Sequence, residues 1–279
     1  MPAYYEPLAH ADPSFPIIFH RDILPGLPAS GVEAHWHEGI ELLYCISGSA
    51  RVSSGTEWRQ MTKGELAIIN SGALHYITPV SETECHYYCM IVESSLFEGT
   101  GLPFGKISLE RLVCDSQATA LYHSIVHEME KKSLYYKEAV RGYILLFFTH
   151  LYRFHHVPDA PDQSPAQSDA VKHAILYLRS CFQNHITIDE VCHRVGFSKY
   201  YFCRLFRKVT GRSIMEYVNY LRCSYAQQLL KDGEYNISEA ATLSGFSDVS
   251  YFTRVFKQQM GRLPSEVKKE YTREILVRI

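Results

Sequence analysis

The segment HWHEGIE, residues 35–41, carries two histidines at alternate positions and a glutamate four residues after the second. Along a strand, alternation sends His35 and His37 to the same face, and Glu41 reaches that face after a turn or on the paired strand. Imidazoles and a carboxylate gathered in this way can chelate. A second set of residues offers different chemistry. Tyr200, Cys203, Arg204 and Arg207 fall at i, i+3, i+4 and i+7, and Ser250, Thr253, Arg254 and Lys257 repeat that spacing. On a helix each stripe forms one face. Such a face fits the major groove of a DNA duplex, where Arg donates two hydrogen bonds to guanine and Thr touches a thymine methyl. Val249, on the exposed side of the second stripe, offers a further contact to a thymine methyl.

Downstream of HWHEGIE and Gly48, the segment GELAIINSGALH supplies His75. Together these segments resemble the two sequence motifs of cupin barrels. In metal-binding cupins the four matching residues, here His35, His37, Glu41 and His75, converge as an open site of mixed nitrogen and oxygen donors suited to a divalent transition metal. The second motif departs from the pattern, with Asn70 in place of the usual Pro and Pro79 in place of the final Asn. Three readings stay open: pocket groups that hydrogen-bond an effector, ligands of a metal, and polar members of the barrel packing. A pocket lined also by Trp36, Tyr44 and Tyr76 suits a small polar ligand. The alternative from another function class is a cupin metalloenzyme with a catalytic metal on the same four residues. The second half of the chain argues against it.

The elements that must position these groups read in two halves. From about Phe15 to Val92, short apolar or alternating runs (IELLYCI, ARVSS, ELAIIN, CHYYCMIV) are separated by Gly, Ser, Thr and Pro, as in a small barrel or sandwich. From Asp115 to Lys132 and from Tyr136 to His155 apolar residues recur at helical intervals, giving two helices. The aromatic surface of LYYKEAVRGYILLFFTHLY suits a dimer interface or docking onto the barrel. Val157 to Ser168, with three prolines and no apolar periodicity, reads as a linker. The expected organisation is therefore a barrel over 1–114, a helical dimerisation or docking segment over 115–156, a linker over 157–168 and an all-helical domain over 169–279.

Composition fits this division. The hydrophobic share is 46% of 279 residues, normal for a folded chain, and no run approaches the roughly 20 apolar residues of a membrane span. The start of the chain lacks a basic segment followed by an apolar run, so a cytoplasmic protein without a membrane partner is expected. The eight cysteines form no CxxC pair, which fits reduced thiols. From Asp169 onward 17 Lys and Arg stand against 11 Asp and Glu, a net of +6, while the preceding part carries −8. The basic half suits nucleic acid.

That half contains an internal repeat: Ile188 to Gly211 reappears as Ile237 to Gly261. GFSKYYFCRLFRKVTGR aligns with GFSDVSYFTRVFKQQMGR, the second copy holding one extra residue near the turn. In each copy Thr187 with Glu190, or Asn236 with Glu239, has capping-box spacing for a first helix. Gly196 and Gly245 stop that helix, and Ser198 and Ser247 are placed to cap the next. Phe202, Leu205, Phe206 and Val209, matched by Phe252, Val255, Phe256 and Met260, form the buried stripe of the second helix. Ile214 to Leu230 joins the copies as a rigid helix of about 25 Å at about 1.5 Å per residue. Two copies fall short of the three or more that a purely structural solenoid needs.

With both GFS turns, the RxF core of both second helices, the EYV...R...A..LL connector and the closing LPSE stretch, residues 169–279 resemble the DNA-binding domain of the AraC/XylS family of bacterial transcription regulators. The resemblance implies two helix-turn-helix units joined by a long helix, with base contacts at the positions of Tyr200, Cys203, Arg204, Ser250, Thr253 and Arg254. Around them Lys199, Arg207, Lys208, Arg212, Lys257 and Arg262 are placed for phosphates. The expected partners are double-stranded DNA, a small polar effector, a second copy of the chain and, for an activator, RNA polymerase.

Overall fold

The computed structural model describes residue 12 and residues 14–27, 31–157 and 165–270, which group into two compact units divided near residue 163. Most of the expected linker, residues 158–164, lies outside the described residues. Its last four residues are helical, because Pro165 starts a helix, as its fixed φ permits at a first turn.

The first unit is built from antiparallel strands β1 (Ile17–Leu24), β2 (Val32–His35), β3 (Ile40–Ser47), β4 (Ser49–Ser54), β5 (Glu57–Thr62), β6 (Leu66–Ile69), β7 (His75–Pro79), β8 (Cys85–Val92) and β9 (Leu112–Val113). They form two sheets, a five-stranded one in the order β1-β8-β3-β6-β9 and a four-stranded one in the order β2-β7-β4-β5. The central strand β3 is covered on both faces, so its alternation separates two cores. Leu43 and Cys45 face inward with Ala67, Ile69, Cys89 and Ile91, meeting Ala50, Val52, Met61 and Ile77 of the other sheet. Ile40, Leu42 and Tyr44 face outward with Leu66, Ile68, Met90 and Val92. On that outer face lie α1 (Ser116–Lys131) and α2 (Tyr136–Phe154), which bury Tyr122, Ile125, Ile144, Phe147 and Phe148. At the β3–β4 turn Gly48 has φ +79, and a Cβ there would lie 2.2 Å from the Glu84 carbonyl oxygen.

The second unit comprises α3 (Pro165–Cys181), α4 (Ile188–Val195), α5 (Lys199–Thr210), α6 (Ile214–Asp232), α7 (Ile237–Leu243) and α8 (Val249–Met260), followed by a helix over 264–270. The repeat is real in structure: α4–α5 and α7–α8 are two helix-turn-helix units joined by α6. Thr187 caps α4 by accepting from the Glu190 N–H, and Asn236 with Glu239 forms a full capping box on α7. Two capping expectations fail. Ser198 holds the N-cap position of α5 without a side-chain capping hydrogen bond. Asp248, not Ser247, caps α8, because the extra residue in the second turn moves the helix start one position along. The connector α6 runs to Asp232 and is closed at its start by a box of Ser213 and Glu216 that the sequence reading overlooked.

Candidate DNA interface and sensor site

In the second unit the apolar stripes of α5 and α8 point into the core, with Phe202, Phe206, Phe252 and Phe256 fully buried. The opposite faces are open. Tyr200, Arg204, Val249, Ser250 and Arg254 are exposed, while Cys203 and Thr253 are half-buried at matched positions. The Arg204 guanidinium donates to the Tyr200 hydroxyl at 3.3 Å and lies over its ring, and Arg254 lies over Tyr251 at the same 5.5 Å to the ring centre. Both guanidiniums are thereby steered along their helices while keeping donors for a base edge. The Thr253 hydroxyl donates to the Val249 carbonyl at 2.8 Å, which leaves its methyl as the outward chemistry. Cys203 sits against Cys192 of α4, whose thiol is pushed up by burial and then by Cys203.

The expected phosphate contacts divide. Arg207, Lys208 and Lys257 are exposed in the last turns of α5 and α8. Three others are engaged within the fold, because each lies beside an acceptor on a neighbouring element. Lys199 donates to Asp189 of α4 at 2.9 Å, Arg212 donates to Gln259 of α8 at 2.5 Å and lies over Tyr220, and Arg262 pairs with Glu270 at 2.5 Å. Arg222 of α6, the Arg of the EYV...R...A..LL connector, was given no site role in the sequence reading. It is half-buried and donates to the backbone carbonyls of Phe182 and Asn184 at 2.7 and 2.8 Å, and Gln183 between them donates to the Leu243 carbonyl at 3.0 Å. Residues 182–184 thus bind both the connector and the second helix-turn-helix unit. No spacing rule marks this joint, since its acceptors are backbone atoms.

In the first unit, His35 ends β2 directly opposite His75 at the start of β7, so these two come from the four-stranded sheet. Glu41 comes from β3 of the opposing sheet, and His37 lies in the segment between the strands. The four gather in the interior: their donor atoms all lie within 4.8 Å of one another. Glu41 Oε2 is 2.8 Å from His75 Nε2 and 3.2 Å from His37 Nε2, and the His35 and His75 ring centres are 4.1 Å apart. His37, Glu41 and His75 are buried and His35 is half-buried.

The hydrogen bonds orient all three rings alike. The Nδ1 atoms of His35, His37 and His75 lie 2.8, 3.1 and 2.8 Å from the carbonyls of Glu33, Gly39 and Ala73. A carbonyl only accepts, so each Nδ1 carries the proton, and in a neutral ring the Nε2 lone pair is left toward the centre. Burial opposes ionisation of Glu41, but His75 and His37 outweigh it and hold the carboxyl well below the usual range. Burial, and then repulsion from His75, push His35 down to about 3, so this imidazole is neutral near pH 7. Cys89 donates to Glu41 Oε1 at 3.3 Å, fixing the far oxygen of the carboxylate.

Two of the other expected pocket residues, Tyr44 and Tyr76, are placed elsewhere. Tyr44 has opposite parity to Glu41 on β3, so it packs on Tyr122 and bonds His123 Nε2 at 3.0 Å under α1. Tyr76 alternates with His75 and Ile77, which both face the interior, and so lies on the other face of its sheet. Trp36 is buried.

Comparison with known proteins matches the two units separately. Residues 23–153 match the model of an AraC-like ligand binding domain, and residues 177–270 match that of a helix-turn-helix domain. The chain is 23% identical to the HTH-type transcriptional regulator YdeC of Bacillus subtilis, over 85% of this chain and 86% of that protein. It is 30% identical to the Msm operon regulatory protein of Streptococcus mutans over 41% of this chain and 40% of the relative. Among solved structures, ToxT from Vibrio cholerae aligns over 92% of this chain and 98% of its own with 18% identity and a TM-score of 0.45. With the two matched domains in this order, the chain belongs to the AraC/XylS family of transcription regulators, carrying a ligand-binding domain ahead of a DNA-binding helix-turn-helix domain.

Proposed function

We propose that this regulator reads its operator with Tyr200, Cys203 and Arg204 of α5 and with Val249, Ser250, Thr253 and Arg254 of α8, and that the centre formed by His35, His37, Glu41 and His75 is its sensor. The observation that carries the sensor reading is the orientation of three imidazoles. Each turns its Nδ1 to a carbonyl, and the Nε2 atoms of His37 and His75 stand 3.2 and 2.8 Å from one buried carboxylate, with a donor atom of His35 within 4.8 Å. Protonated rings donate from Nε2 to Glu41, whereas neutral rings turn lone pairs to it that a bound cation would satisfy. A divalent transition metal fits this donor set, held by the three Nε2 atoms and Glu41, and a position left open on it would accept an oxygen of a small polar effector. In this reading Glu33, Gly39 and Ala73 fix the ligand tautomers through their carbonyls, and Cys89 steadies Glu41.

Occupation of the centre can shift operator affinity only by favouring one state of the chain. A regulator of this kind acts in the cytoplasm as a homodimer, the second copy adding two more recognition helices to a second half-site. As an activator it would also meet RNA polymerase. The test begins with DNA fragments selected from the source genome by the full chain. Their affinity is then measured for protein as purified, after chelation and after restoring the metal. The expected result is stoichiometric metal and a change in operator affinity on its removal, with no change in heparin binding. Unchanged affinity for protein shown to gain and lose the metal contradicts sensing. Turnover of a substrate by the loaded protein would favour the enzyme alternative.

A further inference from the structure

A second group of metal-type donors lies at the open end of the α1–α2 hairpin, away from the sandwich interior. Asp115 caps α1, its Oδ1 accepting from the Ala118 N–H at 2.7 Å. That bond, before any other influence, holds the carboxyl down to about 2, so Asp115 is a carboxylate at neutral pH. From the last turns of α2, His150 Nε2 comes within 3.3 Å of Asp115 Oδ1, and from the helix end His155 Nε2 comes within 3.3 Å of Oδ2. The three donors lie within 4.8 Å of one another, and all three side chains are largely shielded.

The second nitrogen of His155 is also engaged. Its Nδ1 lies 2.9 Å from Glu110 Oε2, and Glu110 is fixed there because its N–H donates to the His155 carbonyl at 2.9 Å and Val157 N–H donates to the Ser108 carbonyl at 2.9 Å. His155 thus stands between two carboxylates, Glu110 at Nδ1 and Asp115 at Nε2; with a metal bound, the Nδ1 proton would stay toward Glu110 and the Nε2 lone pair would face the ion. Carboxylate, histidine and metal in line is the arrangement in which an outer carboxylate fixes the tautomer of a ligand and raises its basicity. His150 Nε2 is buried and makes no hydrogen bond of its own. The two 3.3 Å distances run to different oxygens of Asp115, and donor atoms all within 4.8 Å of one another can share an ion with bonds of about 2.0–2.1 Å. Asp115 borders an open recess with Cys114, Ser116, Thr119, Ala120 and His123, which gives solvent and ions access.

From this geometry we infer that Asp115, His150 and His155 form a second divalent-metal site, of the zinc type, with Glu110 as the outer carboxylate and solvent in the fourth position. The ion would clamp the start of α1 to the end of α2, immediately before residues 158–164. The site is independent of the sensor centre, and its test separates the two. Full-length protein freed of metal is titrated with Co2+, read by visible absorption and by bound metal per chain, alongside His75→Ala, His150→Ala and His155→Ala variants and the His75→Ala/His150→Ala pair. The expected result is two equivalents for the unaltered chain, one for each single variant and none for the pair, with a tetrahedral cobalt spectrum persisting in His75→Ala. Zn2+ should then raise the melting temperature of His75→Ala but not of the pair. The proposal is overturned if His150→Ala and His155→Ala bind as much metal as the unaltered chain, or if folded His75→Ala binds none. Should His75→Ala fail to fold, the drop of one equivalent in His150→Ala decides the matter alone.

Discussion

At the scale of single residues, what decides a role is where the polar atoms of a side chain are already engaged. Arg212 and Lys208 look interchangeable in sequence, but Arg212 is held by Gln259 and Tyr220 while Lys208 is exposed. Lys208→Ala is therefore expected to weaken DNA binding evenly across sequences and to reduce the salt slope by about 1, as loss of a phosphate contact does. Arg212→Ala should instead lower the melting temperature of the free protein. Salt titrations of operator affinity and thermal melts of both variants check this pair. Tyr44 gives a second contrast. Its hydroxyl bonds His123 beneath α1, so Tyr44→Phe should cost about 0.5–1.5 kcal/mol of stability and leave metal content unchanged. Reduced metal in that variant would contradict the placement. The four residues of the candidate sensor centre were legible because HWHEGIE and the later His75 carry a recognisable spacing. Tyr44 and Tyr76 were misjudged because nearness in sequence outweighed parity: each is separated from Glu41 or His75 on its own strand by an odd number of positions, which reverses its face.

Helices and turns set the geometry of the DNA-reading unit. Gly196 and Gly245 occupy equivalent turns with φ of +73 and +89, yet their surroundings differ. Nothing lies within 4 Å of a Cβ built at Gly196, whereas one at Gly245 would be 2.4 Å from the Gln183 carbonyl oxygen. Gly196→Ala should thus incur only the left-handed backbone cost of about 1–2 kcal/mol. Gly245→Ala should cost more and weaken operator binding as well, because it displaces the joint at residues 182–184. Chemical denaturation of the two variants tests this, and equal costs would contradict a close approach at that turn. The box at the start of α6 predicts an acid response. The Ser213 N–H and hydroxyl hold the Glu216 carboxyl below its ordinary value of 4.5, so its stabilising contribution is present above that value and fades as pH falls through the folded one. The melting-temperature gap between the unaltered chain and Glu216→Gln should therefore shrink as pH is lowered below about 4.5. Local signals such as caps, stops and stripes were readable since they depend on near neighbours. The shift from Ser247 to Asp248 was not, because a single inserted residue changes which of two good caps meets the helix start.

For the whole molecule, the division into a sheet-rich unit and a helical unit was visible in charge, periodicity and the repeat. What the sequence left open was long-range pairing. It offered Glu41 a place after the turn or on a paired strand, and only the two-sheet topology shows that the carboxylate crosses from the opposing sheet to meet His35 and His75. The same holds for the hairpin end, where Asp115 and His155 are far apart in sequence and meet through antiparallel helices. The central claim is that α5 and α8 each insert an Arg-bearing face into a separate major groove. The most direct measurement is the base preference of the full chain at every operator position, compared with Arg204→Ala and Arg254→Ala. Each variant should lose about 1–3 kcal/mol and relax preference at its own base, the two bases lying about 10 base pairs apart. A uniform loss in both variants with every base preference intact would contradict the account.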